Sequence, residues 1–132
     1  MPLTGHCLCK SVTYSADVDA PAITAYDHCD DCQRQSGSTY FVPKATLRIS
    51  GPVKTYTSKG SSGHDVHRLF CSECGSPIAH DPDAAPEIIA LKAGTLDTEI
   101  KRNLKPDTEI WAASKLPFCQ EHLANPFEHM PQ

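Results

Sequence analysis

A chain of 132 residues, 39% hydrophobic and 21% charged, has the size and balance of one folded domain, expected to span residues 1–132. Its net charge of −4, with no stripe of Lys and Arg, argues against nucleic-acid phosphates as a partner. No run approaches the roughly 20 apolar residues of a membrane-spanning helix. The first residues, Met1-Pro2-Leu3-Thr4-Gly5-His6-Cys7, lack a charged segment followed by an apolar one, so no membrane partner and a cytoplasmic location are expected.

Eleven prolines and seven glycines imply many turns and short elements, which favours a mainly β fold. Residues 11–16 alternate, with Val12, Tyr14 and Ala16 on one face. Further strands are predicted at residues 22–26, 39–42 and 47–50, the last two ended by Pro43 and by Gly51-Pro52. Residues 53–57 are β-branched and aromatic. A Gly/Ser turn over residues 59–63 leads to a strand at 64–70. Residues 87–93, with Ile88, Ile89 and Leu91, read as a buried strand, and 109–113 as the last. Short helices are predicted only at 30–36 and 97–103.

The seven cysteines fall as Cys7-x-Cys9, Cys29-x-x-Cys32 and Cys71-x-x-Cys74, with Cys119 alone. Close pairs are metal knuckles, because two thiolates presented from one tight turn reach the same tetrahedral ion; an odd count argues against a disulfide framework. Cys7, Cys9, Cys71 and Cys74 are expected to form one closed four-cysteine site for a structural zinc. Gly5 and Gly75 flank these pairs and permit tight backbone there.

The remaining pair lies in Tyr26-Asp27-His28-Cys29-Asp30-Asp31-Cys32. Asp27 stands two residues before Cys29, as Cys7 stands before Cys9, and a carboxylate there supplies a third ligand. Three protein ligands leave a fourth position open for water or a substrate thiol, as catalytic zinc requires. Asp27, Cys29 and Cys32 are therefore the candidate catalytic set. His28, Asp30 and Asp31 are the alternative ligands, His28 ranking below Asp27 because adjacent residues point apart.

Gly5-His6-Cys7-Leu8-Cys9, then His28-Cys29-Asp30-Asp31-Cys32 with Ser36-Gly37, then Phe70-Cys71-Ser72-Glu73-Cys74-Gly75 form an ordered set. Gly94-Thr95-Leu96-Asp97 and Ser114-Lys115 before Pro117-Phe118 continue it. In this order the chain resembles the glutathione-dependent formaldehyde-activating enzyme family and its centromere-protein-V-type relatives. The resemblance implies an Mss4-like β fold of short antiparallel strands, one structural and one catalytic zinc, and carbon–sulfur lyase activity. A thiol such as glutathione and an aldehyde such as formaldehyde would be joined or released as a hemithioacetal. Asp27 departs from the family pattern, which has cysteine there, and Phe118 stands where relatives commonly carry tryptophan. Asp27 replaces a soft ligand by a harder one.

Outside the knuckles, Arg34 is read as a local ion pair with a neighbouring aspartate, its alternative role being to hold a substrate carboxylate. Ser36-Gly37-Ser38 is either an anion-binding turn or an ordinary one. His64, His67, His80 and His122 are read as solvated histidines with acid–base roles as the alternative. Cys119 is read as a free thiol. The rival to the enzyme is a zinc-stabilised binding module whose second site is degraded; another is an enzyme of this fold acting on a different thioether or halide.

Overall fold

In the computed structural model, residues 3–18, 23–35, 38–60, 62–105, 108–117 and 125–129 are described. In chain order the strands are β1 Leu3–His6, β2 Thr13–Ala16, β3 Ile23–Asp27 and β4 Ser38–Pro43. They continue as β5 Leu47–Ser50, β6 Val53–Lys59, β7 Asp65–Cys71 and β8 Pro77–Pro82. The last are β9 Ile88–Lys92, β10 Thr108–Ile110 and β11 Asn125–Pro126. Two one-turn helices, α1 Asp30–Gln33 and α2 Thr98–Lys101, and three 3-10 turns, Lys44–Thr46, Ala93–Thr95 and Ala112–Ser114, complete the set among the described residues. The fold is mainly β, as the turn-rich composition requires.

The alternation at residues 12–16 becomes one face of a three-stranded sheet ordered β1-β2-β5. Val12, Tyr14 and Ala16 are buried while Ser11 and Thr13 are exposed, the pattern of a sheet with one face on a core. They pack with Val42, Ile78, Ile89, Leu91 and Leu96 from the other sheet and the loop beyond it. That second sheet has the order β11-β10-β3-β4-β9-β8-β7-β6. Its pairings are antiparallel except where β10 joins β3 and β11 in parallel. Among the described residues no helix is long and apolar enough to cross a membrane.

Most predicted strands appear close to their expected ends. Two differences bear on function. The segment expected as a strand at 109–113 stops at Ile110, because Trp111 adopts φ +56 and starts a 3-10 turn at Ala112–Ser114. The strand β8 is absent from the sequence reading: prolines bound it and His80-Asp81 interrupts its apolar residues. The predicted helix at 30–36 is a single turn. Cys29 caps it by accepting the Cys32 N–H on its sulfur at 3.3 Å, and Asp30 and Asp31 occupy the end where negative charge is favoured.

Candidate metal centres

Two cysteine turns meet where the small sheet joins the large one. The Cys7 N–H donates to the Val12 carbonyl at 3.1 Å, and the Lys10 N–H donates back to the Cys7 carbonyl at 3.2 Å. Lys10, at φ +66, takes the left-handed position of this turn. In the second turn Gly75 takes it, at φ +78, and its N–H donates to the Cys71 carbonyl at 2.9 Å. Gly5 serves a different end from the expected one. It lies within β1, where an added Cβ would sit 2.4 Å from both the Thr95 carbonyl oxygen and the Tyr14 hydroxyl.

The ligand sulfurs of Cys7, Cys9, Cys71 and Cys74 all lie within 4.8 Å of one another. Cys7 and Cys9 are 3.6 Å apart and Cys9 and Cys71 are 3.8 Å apart. A tetrahedron with metal–sulfur bonds of about 2.3 Å has sulfur–sulfur edges of about 3.8 Å. Backbone amides supply the charge complement: Val12 N–H reaches the Cys7 sulfur at 3.4 Å and Glu73 N–H the Cys71 sulfur at 3.3 Å. The Ser76 hydroxyl, 3.1 Å from the Cys74 sulfur, brings that thiol down to about 5. Burial pushes Cys71 up to about 11. Four sulfurs closing on one point fit a structural ion with no open position.

The second group draws on three segments. Asp27 ends β3, buried, and its Oδ1 accepts the Cys29 N–H at 3.1 Å. One turn of α1 places Cys32 beside it, and β8 supplies His80. The Asp27 carboxylate, the Cys32 sulfur and a His80 ring nitrogen lie within 4.8 Å of one another, all buried. Cys29, half-buried, borders the same space, but its sulfur is not part of that mutual group. A hydrogen bond from the Cys32 S–H lowers Cys29 and raises Cys32, which burial raises further. Burial, aided by the charges of Lys92 and Arg68, pushes His80 down to about 3 and keeps its imidazole neutral.

Strand register explains why these residues converge. Arg68 in β7 pairs with His80 in β8, and His80 pairs with Ala90 in β9. Directly opposed residues share a face, so Arg68, His80 and Lys92, two positions past Ala90, lie on one side of the sheet. Lys92 is 2% exposed, and its Nζ, like His80 Nδ1, has no hydrogen-bond partner among the described residues. Burial lowers the Lys92 pKa, and the electrostatic influence of Cys32, Asp27 and Cys29 opposes that shift. A cavity of about 350 Å³ opens onto this group, walled by Arg68, Ile88, Ile110 and Trp111.

The profile described as glutathione-dependent formaldehyde-activating enzyme matches residues 2–114. The chain belongs to that family. A relative from Schizosaccharomyces pombe, described as an uncharacterized lyase, is 27% identical over 111 residues, covering 78% of this chain and 80% of the relative. The crystal structure of a Rhodobacter sphaeroides protein superposes with a TM-score of 0.63 at 19% identity, covering 78% of this chain and 97% of that one. The latter speaks for the fold alone. Membership supports a lyase with a glutathione-related function at the level of the family.

Within the family frame, the residues named from sequence divide clearly. Asp27 and Cys32 come together and Cys29 sits beside them at the cavity. His28 turns away: its Nε2 is 3.0 Å from the Glu109 carboxylate, which also accepts from Lys115 Nζ at 2.8 Å. Arg34 pairs with Asp30 at 3.1 Å on the surface, the local bond expected of it. Asp31 is exposed and 3.7 Å from Arg68. His64 is exposed, and His67 bonds Thr57 and Asp83 at 2.9 Å each. His80, expected to be solvated, is 7% exposed and faces the second group. Ser36, Gly37, Phe118, Cys119 and His122 lie outside the described residues. Sequence alone does not single out Arg68 or Trp111, since only strand register and one left-handed residue carry them to the cavity, nor Lys92, which register places on the same sheet face.

Proposed function

We propose that the chain is a zinc-dependent carbon–sulfur lyase acting on the adduct of a glutathione-type thiol with a small aldehyde such as formaldehyde. The carrying observation is the contrast between the two centres. The four-cysteine group is closed, whereas Asp27, Cys29 and Cys32 line an open cavity. In this reading one zinc is structural and a second, catalytic, is held on the Asp27–Cys29–Cys32 side. A divalent ion there supplies the acidity that keeps a bound thiol as thiolate near neutral pH and polarises an aldehyde oxygen.

The chain's own residues do the rest. Asp27 and the cysteines present negative donors from a rigid turn, held by the Cys29 N–H to Asp27 bond. Arg68, buried along one side with its guanidinium 3.3 Å from Gln35 Oε1, is the cation placed to orient a substrate carboxylate. Ile88, Ile110 and Trp111 keep water from the adduct. In the forward direction the thiol sulfur forms a bond to the aldehyde carbon, and the thiol proton passes to the aldehyde oxygen. In reverse, the hydroxyl proton returns to sulfur as the carbon–sulfur bond breaks. A cytoplasmic setting, which keeps thiols reduced, suits this chemistry.

The rival reading, a non-catalytic zinc-stabilised module, is favoured by one observation: the buried Lys92 side chain interacts electrostatically with Asp27 and Cys32, a positive group in a place where a cation would sit. Magnetisation exchange between free formaldehyde and its glutathione adduct separates the two. Zinc-loaded protein is expected to accelerate the exchange, with the acceleration lost in Asp27→Ala. Exchange at the uncatalysed rate with two zinc ions bound would contradict the lyase reading.

A further inference from the structure

Resting on the reading that the second centre holds a metal, we infer that His80 is one of its ligands. The ion is then held by the carboxylate of Asp27, the thiolate of Cys32 and the imidazole of His80, with Cys29 beside them lining the same cavity. Three observations carry this. The three donor atoms are mutually within 4.8 Å, the spacing of ligands around one ion, while the Cys29 sulfur falls outside the group. The three residues are all buried, and His80 Nδ1 has no hydrogen-bond partner among the described residues. A buried ring nitrogen without a partner is otherwise unfavourable, and a metal is one partner that removes the penalty.

The third observation is the division of labour between elements. Asp27 and Cys32 come from the β3–α1 turn, whereas His80 comes from β8, a strand separated from β3 in the sheet by β4 and β9. A ligand set that bridges turn and sheet fixes the turn against the sheet face. Cys29 is engaged differently: its sulfur accepts the Cys32 N–H as the cap of α1 and remains half-exposed to the cavity. That places Cys29 where an incoming thiol arrives. One oxygen, one sulfur and one nitrogen donor form a mixed set suited to a borderline divalent ion such as zinc or cobalt(II).

The test uses the full chain loaded with cadmium or zinc and reads metal directly. Wild-type protein is expected to hold two equivalents, with two cadmium resonances: one typical of four sulfurs and one shifted toward mixed oxygen, nitrogen and sulfur ligation. His80→Ala and His80→Gln are expected to retain one equivalent and lose the mixed-ligand resonance. Should the His80 variants fail to fold, nitrogen-15 histidine-labelled wild type provides the readout, one His80 ring nitrogen shifting as the second equivalent binds. Two equivalents retained in folded His80 variants, or an unmoved His80 ring in loaded wild type, overturns the inference while leaving the second metal in place. One equivalent in wild type overturns the metal reading itself, and the inference with it.

Discussion

Single residues carry most of the charge that this fold takes out of water. Glu109 is 2% exposed yet accepts from Lys115 and lies against His28, so a carboxylate, an ammonium and an imidazole share one buried place near the second centre. Removing one charged partner from a buried ionic group is costly. Glu109→Gln is therefore expected to lower unfolding stability by about 3 kcal/mol in urea denaturation. A change within about 0.5 kcal/mol, the range of ordinary surface substitutions, would contradict a structural role for this cluster. Lys92 poses the complementary case of a buried side chain whose lowered pKa is opposed electrostatically by the candidate metal ligands Cys32, Asp27 and Cys29.

At the scale of elements, the four-cysteine centre ties the amino-terminal turn of the small sheet to the end of β7 in the large one. Chelation of the metal, or Cys71→Ser, is expected to release β1 and β2 first. Hydrogen exchange should show their amides losing protection ahead of those in β4 and β9. Uniform loss across both sheets would mean that the centre supports the whole fold rather than this junction. The junction is readable in sequence because its ligands come in close pairs at turns, and the alternation of Val12, Tyr14 and Ala16 identifies the buried face beside it. The second centre is only half readable. Asp27 and Cys32 share a local turn, so their spacing announces them. His80 enters through strand pairing, which no spacing records, and β8 escapes notice because Pro77, Pro82 and Asp81 break its apolar pattern. Arg68 is hidden for the same reason: it reaches the cavity through its register with His80.

For the whole molecule, membership of the formaldehyde-activating family and a mainly β architecture set the frame, and the difference between the two centres gives it direction. One group is four sulfurs and closed; the other mixes donors and meets a cavity. Elemental analysis of the purified full chain tests that difference most directly. Two zinc ions per chain are expected, falling to one in Asp27→Ala while the fold is kept. A single zinc, unchanged by both Asp27→Ala and Cys29→Ser, would contradict a catalytic metal and leave only the frame.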